Sequence, residues 1–455
     1  MEFSYLPNEL ITLIAEHLGK ADLRTLAIVS RALRDIAEPL LYANLLIRTG
    51  PECQRLFETL KHGRCERAAS VHNLDLRALY RHEIGLQHLP SILALSLKLR
   101  TLTIESPVCN AMRWKGDGNW PVLMELFSRG LRDASSLQTE IGQPRPLQCL
   151  RKLTLHWNGP ASRYWDTYAM FDALFCSQTL EELCISCANC PDTLDGAAKR
   201  RHLIERTPMK RLTLIECNIT AKGLLGMLCM PAALEHLSLG ENRDHVSSRY
   251  SGDSRDHVLL QYSGNRLLEE PAAFFQALRI HSGSLISLHY RPQPRPRRRA
   301  DDPAQVRDDE LSFTAFQKLE SIIFEEGCSP LMDLVLSESS RPPRIQSIRF
   351  TLEVDEARTS DIEPVAASQR ADQKLPLEYE HLVRLADKAR TIPPLKNFDI
   401  VFPVATWKDG QKITSCLQLN LAELFEENGE IDPDFDDLPE YELDDNDDEE
   451  VNEDV

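Results

Sequence analysis

Four cysteines stand close together near the middle of the chain, Cys176, Cys184, Cys187 and Cys190, and clustered thiolates are the usual ligands of structural zinc. Such a site, however, normally draws two separated pairs from two chain segments, whereas three of these four follow one another along a single run. All twelve cysteines are scattered through 455 residues. They follow an N-terminus, MEFSYLPNEL, that lacks the basic start and apolar run of a secretory signal. They therefore read as small, buried, free thiols in a reducing compartment, the cytosol or the nucleus. The sequence has no glycine-rich phosphate loop, nucleophile motif or metal signature, so neither an enzyme nor a metal or cofactor is expected. What remains is chemistry of contact. Trp157, Tyr164, Trp165 and Tyr168 form an aromatic cluster that reads either as a binding anchor or as a loop packing its own rings. RPQPRPRRR at 291–299 is basic and proline-rich, a surface loop or a nuclear-import patch.

The elements that must carry these residues announce themselves by repetition. One pattern, apolar at the first, fourth and sixth places, returns as VHNLDL (71–76), LRTLTI (99–104), LRKLTL (150–155), LEELCI (180–185), MKRLTL (209–214) and LEHLSL (234–239). It continues as LISLHY (285–290), LESIIF (319–324), IQSIRF (345–350) and LKNFDI (395–400). Several spacings fall near 25–30 residues and three are close to 50. Within each copy, strand alternation sends Leu153 and Leu155 to one side and Lys152, Thr154 and His156 to the other. A single turn cannot bury its leucines alone, so neighbouring turns must stack and share a core. Helices are expected over 121–131, 268–281 and 377–391.

This pattern resembles the leucine-rich repeat, and 216–242, ECNITAKGLLGMLCMPAALEHLSLGEN, is similar to its cysteine-containing subtype. The resemblance implies a solenoid with parallel strands on a concave binding face and helices outside. Asn158, Cys217 and Asn242 stand where that family prefers Asn or Cys, while Pro107, Ala188 and Gln293 depart from it. The outward residues Lys152, Thr154, His156, Arg211, His236, His289 and Arg349, with Trp157 beside them, are the candidate contacts for a protein substrate of unknown identity. Glu182, Ser186, Thr213, Ser238, Ser287, His289 and Ser347 share that side. Polar and of mixed sign, the set is no basic track for nucleic acid.

Ahead of the repeats, Leu6 to Ile47 reads as short helices. Pro7 suits a first turn, Leu10, Ile14 and Leu18 recur at helical spacing, and Gly19 offers a left-handed stop. Asp22 then caps a helix carrying Leu23, Leu26, Val29, Leu33 and Ile36 on its inner side, and Pro39 ends it or begins another. Ile11 and Leu13 widen the apolar stripe beyond what about forty residues can bury alone, so the segment needs a partner. The string LPNELITLIAEHLGKADLRTLAIVSRALRDIAEPLLY resembles the F-box over nearly its whole length, with Tyr42 where the family often has Trp. That resemblance implies docking on a Skp adaptor, and through it a cullin-RING ligase, by Leu6, Pro7, Leu10, Ile14, Leu23, Val29 and Leu33. The chain thus resembles a fungal-type F-box protein with C-terminal leucine-rich repeats, the substrate receptor of an SCF ubiquitin ligase.

Charge completes the layout. Net charge is −18, yet residues 426–455 hold 17 Asp and Glu and no Lys or Arg, which leaves the rest of the chain at −1. Such a tail cannot pack on itself and is expected to be disordered. The expected organisation is an α/β repeat protein: a three-helix F-box at 1–47, a solenoid over 48–425 and an acidic tail over 426–455. Loop insertions are expected near 243–266, 291–310 and 355–376. No stretch is long and apolar enough to span a membrane. An alternative is an interaction solenoid outside any SCF complex, whose helices only cap the repeats and whose tail binds basic nuclear partners such as histones.

Overall fold

The computed structural model describes residues 6–79, 82–106, 120–136, 145–157, 164–201, 206–242, 267–292, 311–325, 328–351, 388–389, 392, 395–408 and 411–420. The insertions at 243–266 and 355–376, most of 291–310, the helix expected over 377–391 apart from 388–389, and the acidic tail lie outside them, as do Pro107, Asn158 and Gln293. The chain divides into two compact units, Met1–His281 and Ser282–Val455.

The first unit opens with three helices, α1 (Asn8–Glu16), α2 (Lys20–Val29) and α3 (Arg31–Ala43). Gly19 is extended rather than left-handed and stands at the N-cap of α2, which places Asp22 inside the first turn. The long second helix expected from sequence is broken at Ser30, whose Oγ accepts the Leu33 N–H at 3.2 Å and so begins α3. Pro39 lies inside α3 rather than at either end. The three helices share a small core of Ala15, Leu23, Ala27 and Ala37, packed round by Leu18, Leu26, Ile36, Leu40 and Leu41. With alanine at three of the four centres, the helices approach closely but bury little apolar volume.

Without an intervening loop, α3 passes into β1 (Asn44–Ile47), so a strand not foreseen from the repeats already begins the sheet within residues 1–47. A capping box, Thr49 with Glu52, starts α4 (Gly50–His62), and α5 (Cys65–Ala69) follows. The sheet then continues in parallel through β2 (Asn73–Arg77), β3 (Thr101–Glu105), β4 (Lys152–His156), β6 (Glu182–Ser186), β8 (Arg211–Ile219) and β9 (His236–Glu241). A short side sheet pairs β5 (Trp165–Asp166) with β7 (Ala188–Cys190), and β7 with β8.

Parallel neighbours need a crossover, and helices supply it. They are α6 (Leu89–Leu95), α7 (Trp120–Ser136), α8 (Phe171–Phe175), α9 (Thr193–Arg201), α10 (Ala221–Leu228) and, after β9, α11 (Pro271–Arg279). The pairs α4/α6, α6/α7, α7/α8, α9/α10 and α10/α11 pack on one another as a second layer. The register explains the repetition. Leu74, Leu102, Leu153, Leu183, Leu212 and Leu237 align across the sheet, as do Leu76, Ile104, Leu155, Ile185, Leu214 and Leu239, and all are buried. Each such side chain contributes about 1.5–3 kcal/mol once shielded from water. Hydrogen bonds repeat with the same period. Trp157 N–H donates to Ser186 Oγ at 2.6 Å, Thr179 Oγ1 donates to the Leu150 carbonyl at 2.9 Å and Ala188 N–H donates to Cys217 Sγ at 3.3 Å, each joining positions 29 residues apart.

In the second unit β10 (Ser287–Arg291), β11 (Ser321–Phe324), β12 (Ser347–Thr351) and β13 (Asn397–Lys408) run parallel, with α12 (Ser329–Leu336) between β11 and β12. Leu288, Ile322, Ile348 and Phe398 form one buried row, and Tyr290, Phe324, Phe350 and Ile400 the next. The last strand, β14 (Gln411–Asn420), is antiparallel to β13 and departs from the all-parallel expectation. Arg291, assigned above to the basic loop, is the final residue of β10.

Candidate binding surfaces

The first surface belongs to the N-terminal helices. Ile11 and Ala15 turn into the domain, and the neighbouring stripe of α1 faces solvent, with Leu10 46%, Leu13 53% and Ile14 44% exposed. The end of α2 adds Ile28 at 77% and Val29 at 66%. Leaving five branched aliphatic side chains in water on so small a domain is costly, and their concentration there marks an interaction surface. Pro7 is exposed beside them as the N-cap of α1, while Leu6 and Leu33 are half-buried. Leu23 is a correction to the expected contact set, because it is buried in the domain's own core and is not available to a partner. Ile28 was missed. The apolar spacing of Leu23, Leu26 and Val29 does not show in sequence which side of α2 the domain's own core covers.

The second surface is the open side of the parallel sheet. In the first unit the register sets Lys152, Glu182, Arg211 and His236 in one row and Thr154, Cys184, Thr213 and Ser238 in the next. Lys152 Nζ pairs with Glu182 at 3.2 Å. Glu105 lies between Arg77 at 3.4 Å and His156 at 3.8 Å. Burial, and after it the nearby Arg211, pushes the pKa of His236 below its ordinary value. On the second unit, His289 Nε2 is 2.9 Å from Glu325, and Arg349 reaches Asp399 through two nitrogens at 3.0 and 3.2 Å. The candidates fall on two units: Lys152, Thr154, His156, Arg211 and His236 on one, His289 and Arg349 on the other.

The aromatic cluster follows the packing alternative, and Trp157 as a candidate substrate contact is a correction. Trp157 and Trp165 are buried, and Tyr164 is half-buried and accepts a hydrogen bond from Asn242. Only Tyr168 of the four is exposed. Ser186, expected to point outward, is also buried, because its hydroxyl donates to the Trp157 carbonyl at 2.6 Å. Rings placed just past a strand complete the core of the next turn, and strand alternation could not show that.

The cysteines occupy structural positions. Cys53, Cys187, Cys190, Cys217 and Cys328 are buried thiols outside any disulfide, and burial pushes the Cys53 and Cys190 thiols up to about 12. Among the described residues, no group of three His, Cys, Asp or Glu is placed to hold a metal ion. Among them, too, no helix is long and apolar enough to cross a membrane. Cys217 and Asn242, at the bends, bind neighbouring turns: Cys217 through Ala188, and Asn242 through Tyr164 and Asn218.

No curated protein matches the chain. One family model does match, the one described as F-box-like, over residues 3–48, the span of α1 to β1 whose exposed apolar side chains form the first surface. The chain carries an F-box-like domain at its N-terminal end.

Proposed function

We propose that the protein is the substrate receptor of an SCF-type ubiquitin ligase, acting in the cytosol or the nucleus. The F-box-like helices dock on a Skp adaptor and through it on a cullin-RING ligase, and the rest of the chain, a leucine-rich-repeat solenoid, holds a protein substrate. The chain itself performs no catalysis. The observation that carries the docking half is the apolar surface of Leu10, Leu13, Ile14, Ile28 and Val29 on a domain matching the F-box-like model. The repeat half is supported by strands beginning at the third residue of every copy of the sequence pattern, and by the aligned leucine rows.

The test is co-expression with a Skp adaptor followed by co-purification. Because Leu10 and Ile14 are exposed, L10D/I14D leaves the fold intact while placing two carboxylates in an apolar interface. A loss of several kcal/mol, on the order of a hundredfold or more in affinity, is expected. Wild type that fails to co-purify with a competent adaptor sinks the receptor reading.

A further inference from the structure

At the N-terminal rim of the first unit's sheet, exposed cations stand beside the starts of neighbouring strands. Immediately before β2, β3 and β4 stand His72, Arg100 and Arg151, linked across the strands by Arg100 N–H to the His72 carbonyl at 2.7 Å and Arg151 N–H to the Arg100 carbonyl at 2.8 Å. Lys98 lies beside them. Lys98, Arg100 and Arg151 are exposed, and among the described residues no carboxylate forms an ion pair with any of the three. Of the acids along the sheet, Glu182 is engaged by Lys152 and Glu235 by Lys210 at 3.8 Å. Burial first, then the nearby Arg100 and Lys98, push the His72 pKa down. On the far side the row is closed by Glu181, whose N–H binds the Arg151 carbonyl at 2.8 Å.

We propose that this rim docks an acidic, extended peptide segment of a partner protein. Arg100 and Arg151 stand one strand spacing, about 5 Å, apart, and an extended chain rising about 3.3 Å per residue presents same-side carboxylates about 7 Å apart, within reach of both long side chains. A single phosphate would call for donors converging on one point, whereas these side chains are laid out in a line on open surface. Nucleic acid fits less well, because the row is closed by Glu181 and, among the described residues, offers no aromatic ring for base stacking. The proposal deepens the receptor reading by naming the chemistry of what the repeats hold.

The experiment uses the full chain without any adaptor, so its failure leaves Skp docking untouched. A short fluorescent peptide of alternating Asp and Gly is titrated by anisotropy at low and at physiological ionic strength. Saturable, salt-sensitive binding is expected, weakened about tenfold or more by R100E/R151E and by a smaller factor in R100Q/R151Q. K318E/R344E, an equal charge change at two exposed positions of the other unit, is expected to alter it by less than about twofold. Absence of binding, or equal losses in the rim and control variants, overturns the proposal. Tighter binding of a matched peptide bearing one phosphoserine, or of a single-stranded oligonucleotide, overturns it as well.

Discussion

At the scale of single residues, His281 shows how much one ring can hold. Its Nε2–H donates to the Leu228 carbonyl at 2.8 Å and its Nδ1 accepts the Leu234 N–H at 3.3 Å, so the buried imidazole ties the end of α10 to the approach to β9 in its neutral form. Burial lowers its pKa below the ordinary 6.5, against the Leu228 hydrogen bond, which raises it, and together with Arg206, which lowers it further. A base depressed in the fold contributes stability that is complete above its unfolded pKa. That contribution is lost as pH falls through 6.5 toward the folded value, because the unfolded chain takes up the proton first. H281L should therefore cost about 1–3 kcal/mol at neutral pH, and urea melts should show the gap to wild type narrowing as the pH is lowered toward about 5. A gap independent of pH would show that the ring only fills space. Nothing in the sequence around His281 marks this role, since its partners are backbone groups 53 and 47 residues away. Trp157 and Leu23 were opaque for a related reason: composition says that a residue is apolar, not whether its own domain or a partner covers it. Lys152, Arg211 and His236 were legible because strand alternation alone fixes their side of the sheet.

At the scale of elements, the strands were the most legible part, since apolar alternation at fixed register is what a shared core demands. The helices were read less well. The break at Ser30 depends on one hydroxyl accepting one N–H, and β1 is hidden because 42–47, YANLLI, repeats the apolar places of the strands yet overlaps the end of the helical segment at Tyr42 and Ala43. Two glycines in adjoining helices test how closely the outer layer is packed. On α10, a Cβ at Gly226 would stand 2.5 Å from the Asp195 nitrogen and 2.5 Å from the Leu194 carbonyl carbon, both backbone atoms that cannot rotate aside. On α9, a Cβ at Gly196 would meet nothing within 4 Å. The same change should thus act with opposite signs. G226A should destabilise by about 1–3 kcal/mol, since forced separation of α9 and α10 outweighs the gain in helix propensity. G196A should stabilise by about 0.5–1 kcal/mol through that propensity alone. Thermal melts of both variants decide it, and a stabilised G226A would mean that the helices can move apart at little cost.

At the scale of the whole molecule, the acidity is a property of residues 426–455 while the F-box-like domain and the first repeats form one continuous body. No residue separates Ala43, the end of α3, from Asn44, the start of β1. Across that junction Lys20 Nζ donates to the Asn44 carbonyl at 3.0 Å, Arg64 pairs with Asp35 at 2.6 Å, and Arg67 pairs with Glu38 at 2.7 Å while its guanidinium lies 5.7 Å from the Tyr42 ring centre. The Arg64 pair is exposed and adds little, but the Arg67 pair is largely shielded, and breaking it leaves a half-buried cation on α5. With a central cluster built largely of alanine, the helical domain has little stability to offer alone, and the sheet's first strand depends on it for cover. A chain lacking residues 1–43 should therefore melt at least about 5 °C below wild type and bind more of a hydrophobic dye, while L10D/I14D melts with wild type. If the truncated chain keeps the wild-type midpoint, the junction is a passive link and the two parts are independent. If it loses stability as argued, a failed Skp interaction in the truncated chain says nothing about docking. In that case only the exposed point changes can locate the proposed adaptor surface.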